Sequence, residues 1–132
     1  IGYEGDPLDR ALRYLQAQQH SDGAWYGRWG VNYLYGTGLV LAADCLLPRR
    51  LPESSVRRAA AWLTSHQNAD GSWTELETTG TGFPKVFYLK YDMYRNTWPL
   101  LALGTYQKLL DRRRPTSANG AQVGPELRQF KR

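Results

Sequence analysis

The sequence predicts an all-α fold: a sector of packed helix hairpins that forms an incomplete barrel. Three observations predict it. A segment near the start of the chain recurs at a constant offset of 48 residues. Apolar residues stand at helical spacing ahead of both copies, and no useful stretch alternates apolar and polar residues as a half-buried strand does. The repeated unit reads as a helix, a sharp turn and a Trp. A hairpin of this kind leaves an apolar face uncovered unless a neighbour packs on it. About four helices are encoded, which is too few to close a ring, so the chain reads as one sector of a larger toroid or a domain that must dimerise.

The first helix starts at Asp6-Pro7, where Asp supplies a side-chain cap and Pro fits the first helical position. Leu8, Ala11, Leu12 and Leu15 form its buried stripe. Asp22-Gly23 turns the chain, since Gly takes positive φ without a Cβ clash. A second helix is expected from Val31 to Leu47, closed by Pro48 and Pro52. The repeat then returns. Arg10-Ala11-Leu12-Arg13-Tyr14-Leu15 corresponds to Arg58-Ala59-Ala60-Ala61-Trp62-Leu63, Gln19 to Gln67, and Asp22-Gly23-Ala24-Trp25 to Asp70-Gly71-Ser72-Trp73. Ser54 or Ser55 is the expected cap of this third helix, and Val56, Ala59, Ala60 and Leu63 its stripe. An irregular stretch rich in Thr, Gly and rings runs from Trp73 to Tyr94. The fourth helix is expected from Arg95 to Arg113, with Pro99 kinking it or marking a late start.

Composition narrows the function. Aromatic residues are 13% of the 132 residues, with five Trp and nine Tyr, alongside 13 Gly. The net charge of +5 is concentrated at one end. Residues 1–110 carry 11 Lys and Arg against 10 Asp and Glu, whereas 111–132 carry 6 against 2. A nucleic-acid surface would spread its basic residues over the folded part, so nucleic acid is not an expected partner. Residues 1–110 are expected to form the folded domain and 111–132 a basic, disordered tail. Cys45 is the only cysteine, so no intrachain disulfide forms. With His20 and His66 the only histidines, no Cys/His metal site is expected. No run approaches the ~20 apolar residues of a membrane span.

Gln19, Trp25, Gln67 and Trp73 read as structural: each Gln can bond backbone groups at a helix end and tie one hairpin to the next. Asp22 and Asp70 read as turn residues. Glu75 and Glu77 read as solvated loop carboxylates without a partner, and His66 and Cys45 as packing residues. The rings Phe83, Phe87, Tyr91 and Tyr94, clustered in a Gly- and Pro-interrupted stretch, are the candidates for a ligand-facing wall.

With these residues in hand, the two copies resemble the Gln-Trp (QW) repeats of triterpene cyclases. The run Gly27-Arg28-Trp29-Gly30-Val31-Asn32-Tyr33-Leu34-Tyr35-Gly36-Thr37-Gly38 is similar to the segment that follows such a repeat in bacterial squalene-hopene cyclases. Thr79-Gly80-Thr81-Gly82-Phe83-Pro84, continuing through Phe87-Tyr88-Leu89, Tyr91, Tyr94-Arg95 and Pro99, resembles their C-terminal signature. The resemblance covers about residues 1–110 and implies an α/α toroid and a cationic polycyclisation of squalene to hopene-type products, with no metal or organic cofactor. By resemblance, Phe83 and Phe87 are π faces near the later rings, and Tyr91 and Tyr94 line the same cavity. Leu89 is implied as a steric wall, Trp29 as wall near the initiating end, and Tyr35 as part of the polar network that re-protonates the acid. No catalytic acid is expected here, because the family's Asp-rich motif has no counterpart in these residues. The family ordinarily carries one further QW repeat where this chain passes directly from Leu47 into the second copy. The implied partners are a squalene-like lipid, a membrane surface, and the remainder of a cyclase chain or a homo-oligomer. The implied location is the cytoplasmic side of a membrane, peripherally bound. A non-catalytic hairpin module that binds a lipid or protein partner is the alternative. A sugar-binding toroid fits less well, since the carboxylate pair for glycoside hydrolysis is absent.

Overall fold

A computed structural model describes residues 6–28, 32–48, 50–78, 86 and 90–114. Four helices follow in order: α1 (Pro7–Gln18), α2 (Tyr33–Leu46), α3 (Glu53–Ser65) and α4 (Tyr94–Arg113). Among the described residues the only extended pairing is an isolated antiparallel bridge between Gln67 and Trp73, so the all-α expectation holds.

Helix α1 begins as its sequence dictates. The Asp6 carboxylate accepts the Leu8 N–H at 2.8 Å, with Pro7 just inside the helix. The α3 start differs from expectation. Its N-cap is Pro52 and the helix starts at Glu53, so Ser54 and Ser55 lie inside it and neither caps it. The fixed φ of proline sets the entry angle two to three residues earlier than a serine cap would. Pro99 lies inside α4, which begins at Tyr94, so the proline does not mark a late start. At the sixth position of the helix Pro99 lies past the first-turn N–H groups that have no intrahelical partner, so the Arg95 carbonyl loses its donor four residues on.

The core is built around α2. Leu34, Leu41, Ala42 and Cys45 of α2 pack with Val56, Ala59, Ala60 and Leu63 of α3, Ala102 of α4, and the two turn residues Trp25 and Trp73. Leu41 and Leu63 are fully enclosed, and each such burial contributes about 1.5–3 kcal/mol. Helices α2 and α4 approach closely because Gly38 has no side chain there. A Cβ on Gly38 would stand 2.9 Å from the backbone carbon of Trp98. The link between α2 and α3 is held by Asp44, whose Oδ1 accepts the Leu51 N–H at 2.7 Å. Burial pushes the Asp44 carboxyl above its ordinary value, against the pull of that N–H and of the Arg50 guanidinium.

Candidate functional site

The two QW turns use the same bonds. Gln19 Nε2 donates to the Gly23 carbonyl at 2.9 Å, and Gln67 Nε2 to the Gly71 carbonyl at 2.9 Å. Trp25 Nε1 donates to the Leu15 carbonyl at 2.7 Å, and Trp73 Nε1 to the Leu63 carbonyl at 2.8 Å. Each indole therefore satisfies one of the carbonyls that the end of a helix leaves without an intrahelical donor. Asp22 Oδ1 accepts the Ala24 N–H at 3.1 Å, and Asp70 Oδ1 accepts the Ser72 N–H at 3.0 Å. Both aspartates are turn residues, as their sequence positions imply. Gly23 and Gly71 take φ of 106° and 87°, the left-handed region that a tight turn needs from glycine.

Each turn also hands its Trp backbone to the next helix. Thr37 Oγ1 of α2 accepts the Trp25 N–H at 2.9 Å, and Asn96 Oδ1 of α4 accepts the Trp73 N–H at 2.9 Å. The two QW units thus fix the positions of α2 and α4, the helices that bear Tyr35 and Tyr94.

Those rings meet where α2 and α4 face each other. Tyr91 and Tyr94 stack with centroids 5.1 Å apart, and Tyr94 stacks on Tyr35 at 6.0 Å. Trp98 closes the group, edge-on to Tyr35 at 5.5 Å and to Tyr94 at 6.3 Å. Tyr91 and Tyr94 keep 48% and 37% of their surface exposed, so the cluster is packed on one side and open on the other. Tyr35 also lines a cleft of about 320 Å³ with Tyr26, Arg28 and Leu39. Trp98 was not singled out by its sequence. The available signal was its spacing of four from Tyr94, which puts both rings on one helix face. Trp29, Phe83, Phe87 and Leu89 lie outside the described residues.

The reading of Glu75 as a solvated carboxylate without a partner is corrected. Its Oε2 accepts the Asn32 N–H at 3.1 Å, at the start of α2. Asn32 caps α2 without a side-chain bond of its own. The Glu75 carboxyl therefore supplies the acceptor that the first turn of α2 requires. It is half-buried beside Glu77, and burial and the bond to Glu77 push it up to about 7. Its hydrogen bond to Glu77 holds the latter below the usual carboxylate range. The pair was missed because its partner lies 43 residues away in sequence.

A second group of rings gathers on the outer side, where Tyr33 lies edge-on to His20 and Tyr26 at 5.2 and 5.8 Å. His66 stacks on Trp62 at 4.1 Å, and Cys45 is buried in the core. Cys45 packs in the core as expected, whereas His66 lies exposed on the outer face of Trp62. Among the described residues no cluster of His, Cys, Asp and Glu has the arrangement of a metal site, and no helix is long and apolar enough to cross a membrane.

Comparison with known proteins places this architecture. Residues 3–78 and 49–108 each match the family described as the squalene-hopene cyclase C-terminal domain. Residues 49–78 fall in both matches, as a repeat does when it can be laid on two successive copies. The chain is 34% identical over 164 residues to a squalene–hopene cyclase of Alicyclobacillus acidocaldarius, covering 80% of this chain and 26% of that protein. It is 31% identical over 157 residues to one of Bradyrhizobium diazoefficiens, covering 74% and 24%. A squalene hopane cyclase of Aspergillus fumigatus is 46% identical over 71 residues, covering 50% and 10%. The chain therefore spans about a quarter of the length of the first two relatives. The 164 aligned positions also exceed the 80% of 132 residues used here, so several dozen positions of that relative have no counterpart in this chain. By its repeats, its ring-bearing segments and its match over most of its length, the chain belongs to the squalene-hopene cyclase C-terminal domain family.

Proposed function

We propose that the chain is part of a triterpene cyclase that converts squalene to hopene-type pentacyclic products by cationic polycyclisation, and that this segment supplies cavity wall and not the initiating acid. The observation that carries this reading is the group of Tyr35, Tyr91, Tyr94 and Trp98, gathered from α2, α4 and the segment just before α4, and open on one side. A carbocation that migrates along a folded hydrocarbon is quenched by water or by a strong base. Ring faces attract it through their quadrupoles by about 0.5–2 kcal/mol each, and more when water is excluded. Several fixed faces distribute that attraction along the path of the charge and require no reorganisation as it moves. They also hold the flexible chain near a reactive conformation.

In this reading Phe83 and Phe87 face the later-forming rings, Tyr91 and Tyr94 the adjoining cavity, Leu89 shapes the fold of the substrate, and Trp29 lies toward the initiating end. Tyr35 serves the polar network around the acid and, through its stacking on Tyr94, joins that network to the wall. Gln19, Trp25, Gln67 and Trp73 hold the scaffold. The substrate is a squalene-like lipid taken from the cytoplasmic face of a membrane, and the acid comes from the remainder of a cyclase chain. No metal or cofactor enters the chemistry.

The test is product analysis. In a complete cyclase carrying this segment, Phe83→Ala and Phe87→Ala release incompletely cyclised hydrocarbons. An unchanged product profile from both variants contradicts the assigned wall.

A further inference from the structure

We propose that the pocket enclosed by the end of α2, the link into α3 and the last turns of α4 is a binding site for internal water, which bridges the Asp44 carboxyl to the Arg50 guanidinium. The inference rests on the fold and is independent of the lipid chemistry proposed above.

Both planar groups are held by one arm. Asp44 Oδ1 accepts the Leu51 N–H at 2.7 Å. Arg50 Nη2 donates to the Cys45 carbonyl at 3.1 Å, one of those that the end of α2 leaves without an intrahelical donor. The other arms, Asp44 Oδ2 and Arg50 Nη1, are out of solvent, and neither has a hydrogen-bond partner among the described residues. Asp44 as a whole is 2% exposed. Both residues line one pocket of about 70 Å³, walled by Val56 of α3 and by Tyr106, Leu109 and Leu110 of α4. Because described residues already enclose both atoms, their need for a partner does not depend on what further residues the chain carries.

A buried donor or acceptor left unpaired forfeits its hydration. The two arms make no bond to each other, since the committed arms fix the planes of the carboxyl and the guanidinium. The pocket exceeds the ~10–15 Å³ that one water requires, and it offers the two polar partners that such a water needs. The chemistry selects water among small ligands. Water donates to an Asp44 carboxylate or accepts from the acid form, and in either case it accepts an Arg50 N–H. Burial pushes the Asp44 carboxyl up, while the Leu51 N–H and the Arg50 and Arg113 guanidiniums pull it down. An anion suits only the acid form. A cation is opposed by Arg50 and Arg113, and Glu53 at the rim is already paired with Arg57.

Water–protein nuclear Overhauser spectra of the isotopically labelled 132-residue chain test it. The Val56 methyls carry no exchangeable proton and lie in the pocket wall at 6% exposure. The expected result is a contact from water to the Val56 methyls and to the Leu51 N–H, with the sign of a held water and not of passing solvent. Arg50→Leu removes the donor, fills the space and abolishes both contacts. Arg50→Met keeps the length of the side chain without its donors and serves if Arg50→Leu does not fold. Asp44→Asn keeps an acceptor for Leu51 and a polar arm in the pocket, and retains both contacts. A wild type without these contacts, contacts that survive the Arg50 variants, or contacts that vanish when formate replaces chloride, as an anion in the pocket requires, overturn the proposal.

Discussion

Replacing Trp73 by Phe separates the hydrogen bond of a QW turn from its bulk. Trp73 is 3% exposed, and its Nε1 reaches the carbonyl of Leu63, itself fully buried. Phe leaves that helix-end carbonyl without a donor and without access to water, which costs about 1–3 kcal/mol. The lost ring volume adds about 1 kcal/mol of cavity and transfer cost, so the expected destabilisation is about 2–4 kcal/mol. Two controls carry the same chemistry into wetter surroundings. In Trp25→Phe the orphaned Leu15 carbonyl is on a half-buried residue that water can reach, so about 1–3 kcal/mol is expected. In Trp62→Phe the lost bond goes to exposed Asp22, and the cost falls below about 1.5 kcal/mol. Urea unfolding followed by far-ultraviolet circular dichroism gives the three values with a common slope. If Trp62→Phe costs as much as Trp73→Phe, the indole N–H is not what holds the helix end.

Further predictions follow from the same geometry. Gly23→Ala meets the backbone of Arg58 as well as a strained φ, whereas Gly71→Ala meets only the φ; chemical unfolding of the monomer gives the former a loss larger by about 1–3 kcal/mol. Thr37→Val removes the fully buried acceptor of the Trp25 N–H and costs about 1–3 kcal/mol in the same assay. The Glu75 carboxyl binds its proton more tightly folded than unfolded, being moved from 4.5 to about 7. Its contribution is therefore full below pH 4.5 and is lost as pH rises to about 7. Solvent screening at this half-exposed site and the opposite shift of Glu77 limit the loss to the order of 1 kcal/mol. Glu75→Gln keeps an acceptor for Asn32 and flattens the stability profile across that window; a mutant profile parallel to wild type contradicts the assignment.

The parts of the fold legible in the sequence are those whose partners lie close along the chain. Asp6-Pro7 and the two Asp-Gly turns each fix bonds within a few residues and form as read, whereas of the two glutamines only Gln19 reaches the next hairpin, at Ser55, and Gln67 bonds within its own turn. Helix α3 starts earlier than its serines suggest because Pro52 dictates the entry angle, a backbone effect that cap chemistry alone does not express. Glu75 and Asn32 are far apart in sequence and meet only after α2 has packed. Trp98 likewise joins the ring cluster because α4 lies against α2 at Gly38. Asp44, buried at the link to α3, has no local signal at all, since its role is set by the chain that returns past it at Leu51.

The central claim is that Tyr35, Tyr91, Tyr94 and Trp98, on α2, on α4 and just before it, form a hydrocarbon-facing wall. Photolabelling of the chain with a squalene analogue bearing a diazirine, followed by peptide mass spectrometry, tests it most directly. The account predicts label on Tyr35, Tyr91, Tyr94 and Trp98 that unlabelled squalene displaces. Displaceable label confined to the outer faces of α1 and α3, with these four rings unmodified, contradicts it.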